Sequence, residues 1–112
     1  MSEGKVRVII KRPDEEFGHV TNISTSLKNL QNTVGGYIEC VTIGVFDWGN
    51  IHVICNEEGR LKELPYNCSL PAFDVDFVGD IIVAAANTEG ELIDLPISFS
   101  IWKNIVLGRE EF

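Results

Sequence analysis

The seven residues GGYIECV, positions 35–41, decide how this chain is read. The segment leading into them is helical in pattern. Leu27, Leu30 and Val34 fall at i, i+3 and i+7 and form one apolar stripe, with Lys28, Asn29, Gln31 and Asn32 toward water. Ser24 or Thr25 supplies the N-cap. Gly35 follows the last periodic residue, where helices close on a left-handed residue that glycine adopts without steric cost. Beyond Gly36 the period becomes two. Tyr37, Glu39, Val41 and Ile43 share one strand face, and Ile38, Cys40 and Thr42 the other.

Working outward from this junction, KVRVIIK (5–11) alternates basic and apolar residues as a half-buried strand. A polar turn around Pro13 leads to a second strand over 19–23, the hairpin partner of the first. On the other side, GVFDWGN (44–50) reads as a hairpin loop and 51–55 as the returning strand. NEEG (56–59) is a turn, 61–67 a proline-anchored connection and 69–78 a loop. IIVAAA (81–86) holds no polar residue and fits a central strand buried on both faces. Asp94 is expected to cap a last helix with Pro96 in its first turn. Ile97, Ile101 and Ile105 recur at helical spacing and Gly108 closes it. The alternation of Ile97, Phe99 and Ile101 with serines leaves a strand as the rival.

The expected architecture is one α+β domain over residues 1–112. Its sheet is mixed or antiparallel with about five strands, joined by one or two helices, and the helix at 25–34 packs on one face. A sheet with a single firm helix leaves apolar surface, so a homodimer or higher homo-oligomer is expected.

A net charge of −8 repels phosphate backbones and argues against nucleic acid as a partner. The carboxylates are scattered rather than arrayed, which disfavours a DNA mimic. Cys40, Cys55 and Cys68 show no CxxC or Cys/His metal spacing and read as free thiols of a reducing cytosol. No secretory leader and no membrane-length apolar run is read in the chain, so no membrane partner is expected.

No nucleophile elbow, HExxH, P-loop or dinucleotide glycine pattern is present. His19-Val20-Thr21 fits half of a two-histidine phosphodiesterase pattern, and His52-Val53-Ile54 does not complete it. His19 reads as a surface residue and His52 as one satisfied by nearby backbone. Convergence of Glu39, Glu57 and Asp80 into an acid/base pair stays open. The expectation is a binder rather than an enzyme, with no metal and no cofactor.

A binder of a nucleotide needs an aromatic face, acceptors for hydroxyls and base edges, and cations for phosphate. Tyr37 and Trp48 offer the first, and Glu39, Asn56, Glu57 and Asn67 the second. Arg60, Lys62 and Arg7 offer the third. The bland readings stand beside these: Glu39 as a solvated strand-end carboxylate, Trp48 as a lid over the core edge, and Arg7 on a solvated face.

Three segments, GGYIECV (35–41), CNEEGRLKELPYN (55–67) and GDIIVAA (79–85), together resemble a family of small proteins of phages and mobile elements of Gram-positive bacteria, formally a domain of unknown function. The resemblance spans roughly residues 5–86 and matches the last twenty residues weakly. It implies an accessory protein in a bacterial host cytoplasm. By analogy with other small phage proteins, it suggests counter-defence: sequestering a nucleotide-derived immune signal such as a cyclic ADP-ribose isomer or cyclic dinucleotide. The alternative is an inhibitor that binds a host defence or nucleic-acid enzyme directly.

Overall fold

A computed structural model describes residues 4–109 of the 112. The first and last three residues of the expected 1–112 domain lie outside the described residues. The elements are β1 (Lys5–Lys11), β2 (His19–Ser24), α1 (Leu27–Val34), β3 (Ile38–Phe46) and β4 (Gly49–Asn56). They continue with β5 (Tyr66–Leu70), β6 (Val75–Val78), β7 (Ile81–Asn87), β8 (Leu92–Ile93) and α2 (Phe99–Val106). The main sheet has the order β2-β1-β7-β4-β3, and each adjacent pair is antiparallel. β8 pairs with β7 at Ala85 and Ala86, beyond the rungs that β1 occupies. β5 and β6 form a separate two-stranded sheet. The fold is α+β as expected, and of the two sheet types left open, mixed or antiparallel, the main sheet is antiparallel.

The apolar run at 81–86 is the middle strand, buried throughout because it is flanked by β1 and β4 and covered on both faces. Its odd residues Ile81, Val83 and Ala85 join a core with Ile51, Val53, Leu70, Phe77, Trp102 and Ile105. Its even residues Ile82 and Ala84 join a second core with Val8, Ile10, Leu30, Val34 and Ile54. The β5–β6 hairpin and α2 therefore lie over one face of the sheet and α1 over the other.

Four local features differ from the sequence reading, each for a physical reason. Ser26, not Ser24 or Thr25, caps α1, its Oγ accepting from Asn29 N at 3.2 Å. GVFDWGN is mostly strand, with a tight turn at Asp47-Trp48. Residues 69–78 are a hairpin around a short 3-10 turn, Pro71–Phe73, because Cys68, Leu70 and Phe77 reach the core in alternation. The helix form of the C-terminal segment is right, but Ser98 is its N-cap. Asp94 instead accepts Arg7 N at 2.7 Å, and Leu95 N donates to Arg7 O at 2.9 Å. Leu95 precedes a proline, which biases it to extended backbone, so 94–97 crosses β1 as a strap before the helix starts. Arg7 Nη1 donates to the carbonyls of Leu95 (2.6 Å) and Ile97 (3.0 Å), and its guanidinium is spent on that strap.

Candidate functional site

Gly35 takes φ 82° and closes α1, its N–H and that of Gly36 both donating to Gln31 O. Gly36 lies close to the NEEG turn: a Cβ there would stand 2.9 Å from Asn56 Nδ2 and 3.4 Å from Lys62 Nζ. The turn is fastened to this junction from both sides. Glu57 N donates to Tyr37 O at 2.8 Å, extending the β3–β4 pairing by one bond. Asn56 Nδ2 donates to Val34 O at 3.2 Å and its Oδ1 accepts Glu58 N at 2.8 Å. Asn56 thus satisfies one of the carbonyls a helix leaves orphaned at its C-terminus. Residues 58–64 then wind back as a turn, with Lys62 N on Glu58 O and Leu64 N on Gly59 O.

Arg7 is spent on the strap, and six of the other eight predicted site residues meet at this end of the sheet, divided between two recesses with Glu58 as the shared wall. One is a groove of about 470 Å³ at the end of α1, lined by Gln31, Asn32, Gly35, Gly36, Tyr37 and Lys62 besides Glu58. The Tyr37 ring is 67% exposed there. The other is a cleft of about 430 Å³ between β3–β4 and β6, which takes Glu39, Asn56, Glu57 and Arg60. Tyr37 and Glu39 were expected to emerge together. The structure instead puts them in different recesses, since Tyr37 precedes β3 and Glu39 lies inside it.

The cleft floor is apolar, with Val41, Cys55 and Phe77, and its rim carries four carboxylates, Glu39, Glu57, Glu58 and Asp76, against one guanidinium. Arg60 Nη2 donates to Asp76 O at 3.0 Å. Cys55 Sγ donates to Glu39 O and Oε1 at 3.6 and 3.8 Å. Burial, then the Glu39 charge, pushes the Cys55 thiol up to about 11, which favours the protonated thiol at neutral pH.

Two predicted residues stand apart. Trp48 lies at the β3–β4 hairpin tip, stacked on Phe46 at 5.1 Å between ring centroids. Seven residues of β3 separate that tip from Glu39, about 23 Å at the strand rise. Asn67 is buried and structural: its Nδ2 donates to Lys11 O (2.8 Å) and Gly79 O (2.7 Å), clasping the ends of β1 and β6. Asp80 pairs with Arg12 at 3.8 Å and lines neither recess, so it does not join Glu39 and Glu57.

Sequence reasoning missed Glu58 and Asp76. Glu58 is legible as the second acid of NEEG. Asp76 was hidden because its strand was read as a loop.

A family model described as Domain of unknown function (DUF3846) matches residues 6–101, which carries the likeness beyond the three quoted segments and into α2. No curated protein matches the chain. No solved structure matches it either.

Proposed function

The chain belongs to the DUF3846 family, and from that premise we propose that it binds a small nucleotide-derived molecule and holds it without chemical change. The carrying observation is the groove at the end of α1, where the exposed Tyr37 ring and Lys62 share one recess with the polar side chains of Gln31 and Asn32. In this reading a base stacks on Tyr37. Gln31, Asn32 and Glu58 take hydroxyl and base-edge hydrogen bonds, and Lys62 meets phosphate. A helix C-terminus by itself repels anions. Here Gln31 O is taken by Gly35 and Gly36 and Val34 O by Asn56, which weakens that repulsion and leaves the Lys62 charge to act.

The biological setting we propose is that of a phage or mobile-element accessory protein sequestering an immune signal, such as a cyclic ADP-ribose isomer or cyclic dinucleotide, in a bacterial host cytoplasm. A homodimer or higher oligomer would let two grooves enclose one ligand, which light scattering at micromolar concentration tests. Among the described residues, no helix is long and apolar enough to cross a membrane.

The test is incubation with a panel of cyclic dinucleotides and ADP-ribose cyclisation products, then heat denaturation and mass spectrometry of what is released. Intact recovery supports a sponge. An altered mass would mean catalysis, and no binding across the panel removes the reading.

A second reading draws on the cleft. Its four carboxylates surround an apolar floor, and Leu61 at its edge is 82% exposed. This suits a basic protein partner, so inhibition of a host defence or nucleic-acid enzyme is the alternative. A stable partner in pull-downs from host lysate, with no nucleotide thermal shift, would favour it.

A further inference from the structure

His52 lies on the α1 face of β4, in a rung between Thr42 of β3 and Ala84 of β7. It is only 9% exposed, and among the described residues its ring makes no hydrogen bond or ion pair. A neutral imidazole carries one N–H donor and one acceptor whichever tautomer is present. Neither ring nitrogen is fully sealed from the surface, so a ligand in contact with the ring can pair them. Burial holds the ring below its ordinary pKa, so it is neutral near pH 7.

The ring lines a recess of about 530 Å³ beneath the first half of α1. This volume is in the range of small-molecule sites. The walls are Leu27, Leu30, Ile38, Ile54 and Leu92, so a ligand here needs an apolar body. Glu91 is a lining carboxylate, and no lysine or arginine lines the recess, so an anion is repelled and a cation attracted. Cys40, diagonal to His52 on the neighbouring strand, is exposed and lines the same recess.

We propose that this recess binds a small aromatic amine, its ring packed between Leu30, Ile54 and Leu92, its body hydrogen-bonded to His52 and its ammonium on Glu91. The site is independent of the nucleotide groove, which lies at the other end of α1 and relies on Lys62.

Tryptamine and indole-3-acetate carry the same ring with opposite charge and serve as the probes. In a heteronuclear NMR titration, tryptamine should shift the Ile54 and Leu92 amides and the His52 ring resonances saturably, and indole-3-acetate should not. Glu91→Gln and His52→Phe should each weaken tryptamine at least tenfold. Saturating tryptamine should also slow iodoacetamide alkylation of Cys40 at least fivefold, read by mass spectrometry. Cys55 and Cys68 are buried and act as internal references. Glu91 is exposed, so its variant keeps the test decisive if His52→Phe fails to fold. Equal response to both probes, shifts centred on Gly35–Tyr37, or unchanged affinity in Glu91→Gln would each overturn the proposal. So would a dimer that protects Cys40 without any ligand, since the recess would then belong to a second copy.

Discussion

On one face of the main sheet, two elements, the β5–β6 hairpin and α2, seal Trp102, Leu70, Phe77 and Ile105 at 0–3% exposure. On the other face, α1 works alone. Eight residues make a helix about 12 Å long and 10 Å wide, against a sheet about 19 Å across its five main strands. Around the first half of α1 the cover is thin: Cys40 is exposed, His52 is unmatched and Leu27, on the helix itself, is left 57% exposed. The difference teaches that the doubly covered face holds most of the buried core, while the thin face leaves a recess under α1; the cleft floored by Cys55 and Phe77 opens at the edge of the covered face.

The largest test of that division is Trp102→Ala. The residue is fully buried, and its Nε1 donates to Phe17 O at 2.8 Å. Its loss should cost about 3–5 kcal/mol in urea unfolding. Leu30→Ala on the thin face should cost about 2 kcal/mol, the low end for leucine truncation, because its site already borders a recess. Equal losses would break the comparison.

Next come opposite pH limits. Burial pushes the Cys55 and Cys68 thiols of the sealed face up to about 11. An unfolded thiol ionises near its ordinary value of 9.0, so this contribution is complete below pH 9 and is lost as pH rises through 11. The combined effect is at most on the order of 5 kcal/mol. Burial lowers the pKa of His52, on the thin face. The unfolded imidazole then takes a proton first, and stability present above pH 6.5 is lost as pH falls below it. Urea midpoints across pH should show the alkaline loss shrink in Cys55→Ala/Cys68→Ala and the acid loss shrink in His52→Gln.

Asn56→Ala should cost about 1–3 kcal/mol, because Val34 O and Glu58 N lose their partner. Hydrogen exchange should accelerate at Gly36 and Glu58 before it does in β7. The smallest stability change is expected for Tyr37→Ala. Its ring is exposed, so stability should move by less than about 0.5 kcal/mol. Nucleotide affinity should fall about 5- to 150-fold, or about 1–3 kcal/mol, measured by calorimetry. A large stability loss there would make Tyr37 a structural residue and sink the groove.

Local pattern made much of this legible. The unbroken apolar run at 81–86 is buried throughout and the stripe ending at Gly35 buries Leu30 and Val34, whereas Leu27 stays exposed and the alternation through Tyr37–Ile43 buries only Ile43, because β3 is an edge strand of the main sheet. The NEEG turn beside the glycine pair was legible as well, since a hairpin from β3 into β4 returns the chain to where it began. Trp48 and Asn67 were misplaced because residue type does not say which end of a strand, or which interior, a side chain joins.

The sequence by itself determined α1 and its C-cap, most strands of the main sheet, the central one above all, and the acidic net charge, because these follow from short-range sterics, periodicity and summed charge. Tertiary structure alone decided that Asn56 ties the NEEG turn to α1, that Arg7 holds the 94–97 strap, that Tyr37 and Glu39 face separate recesses, and that His52 finds no backbone partner. Each depends on contacts between segments far apart in the chain, and a hydrogen bond or an open recess exists only once both sides have been brought together.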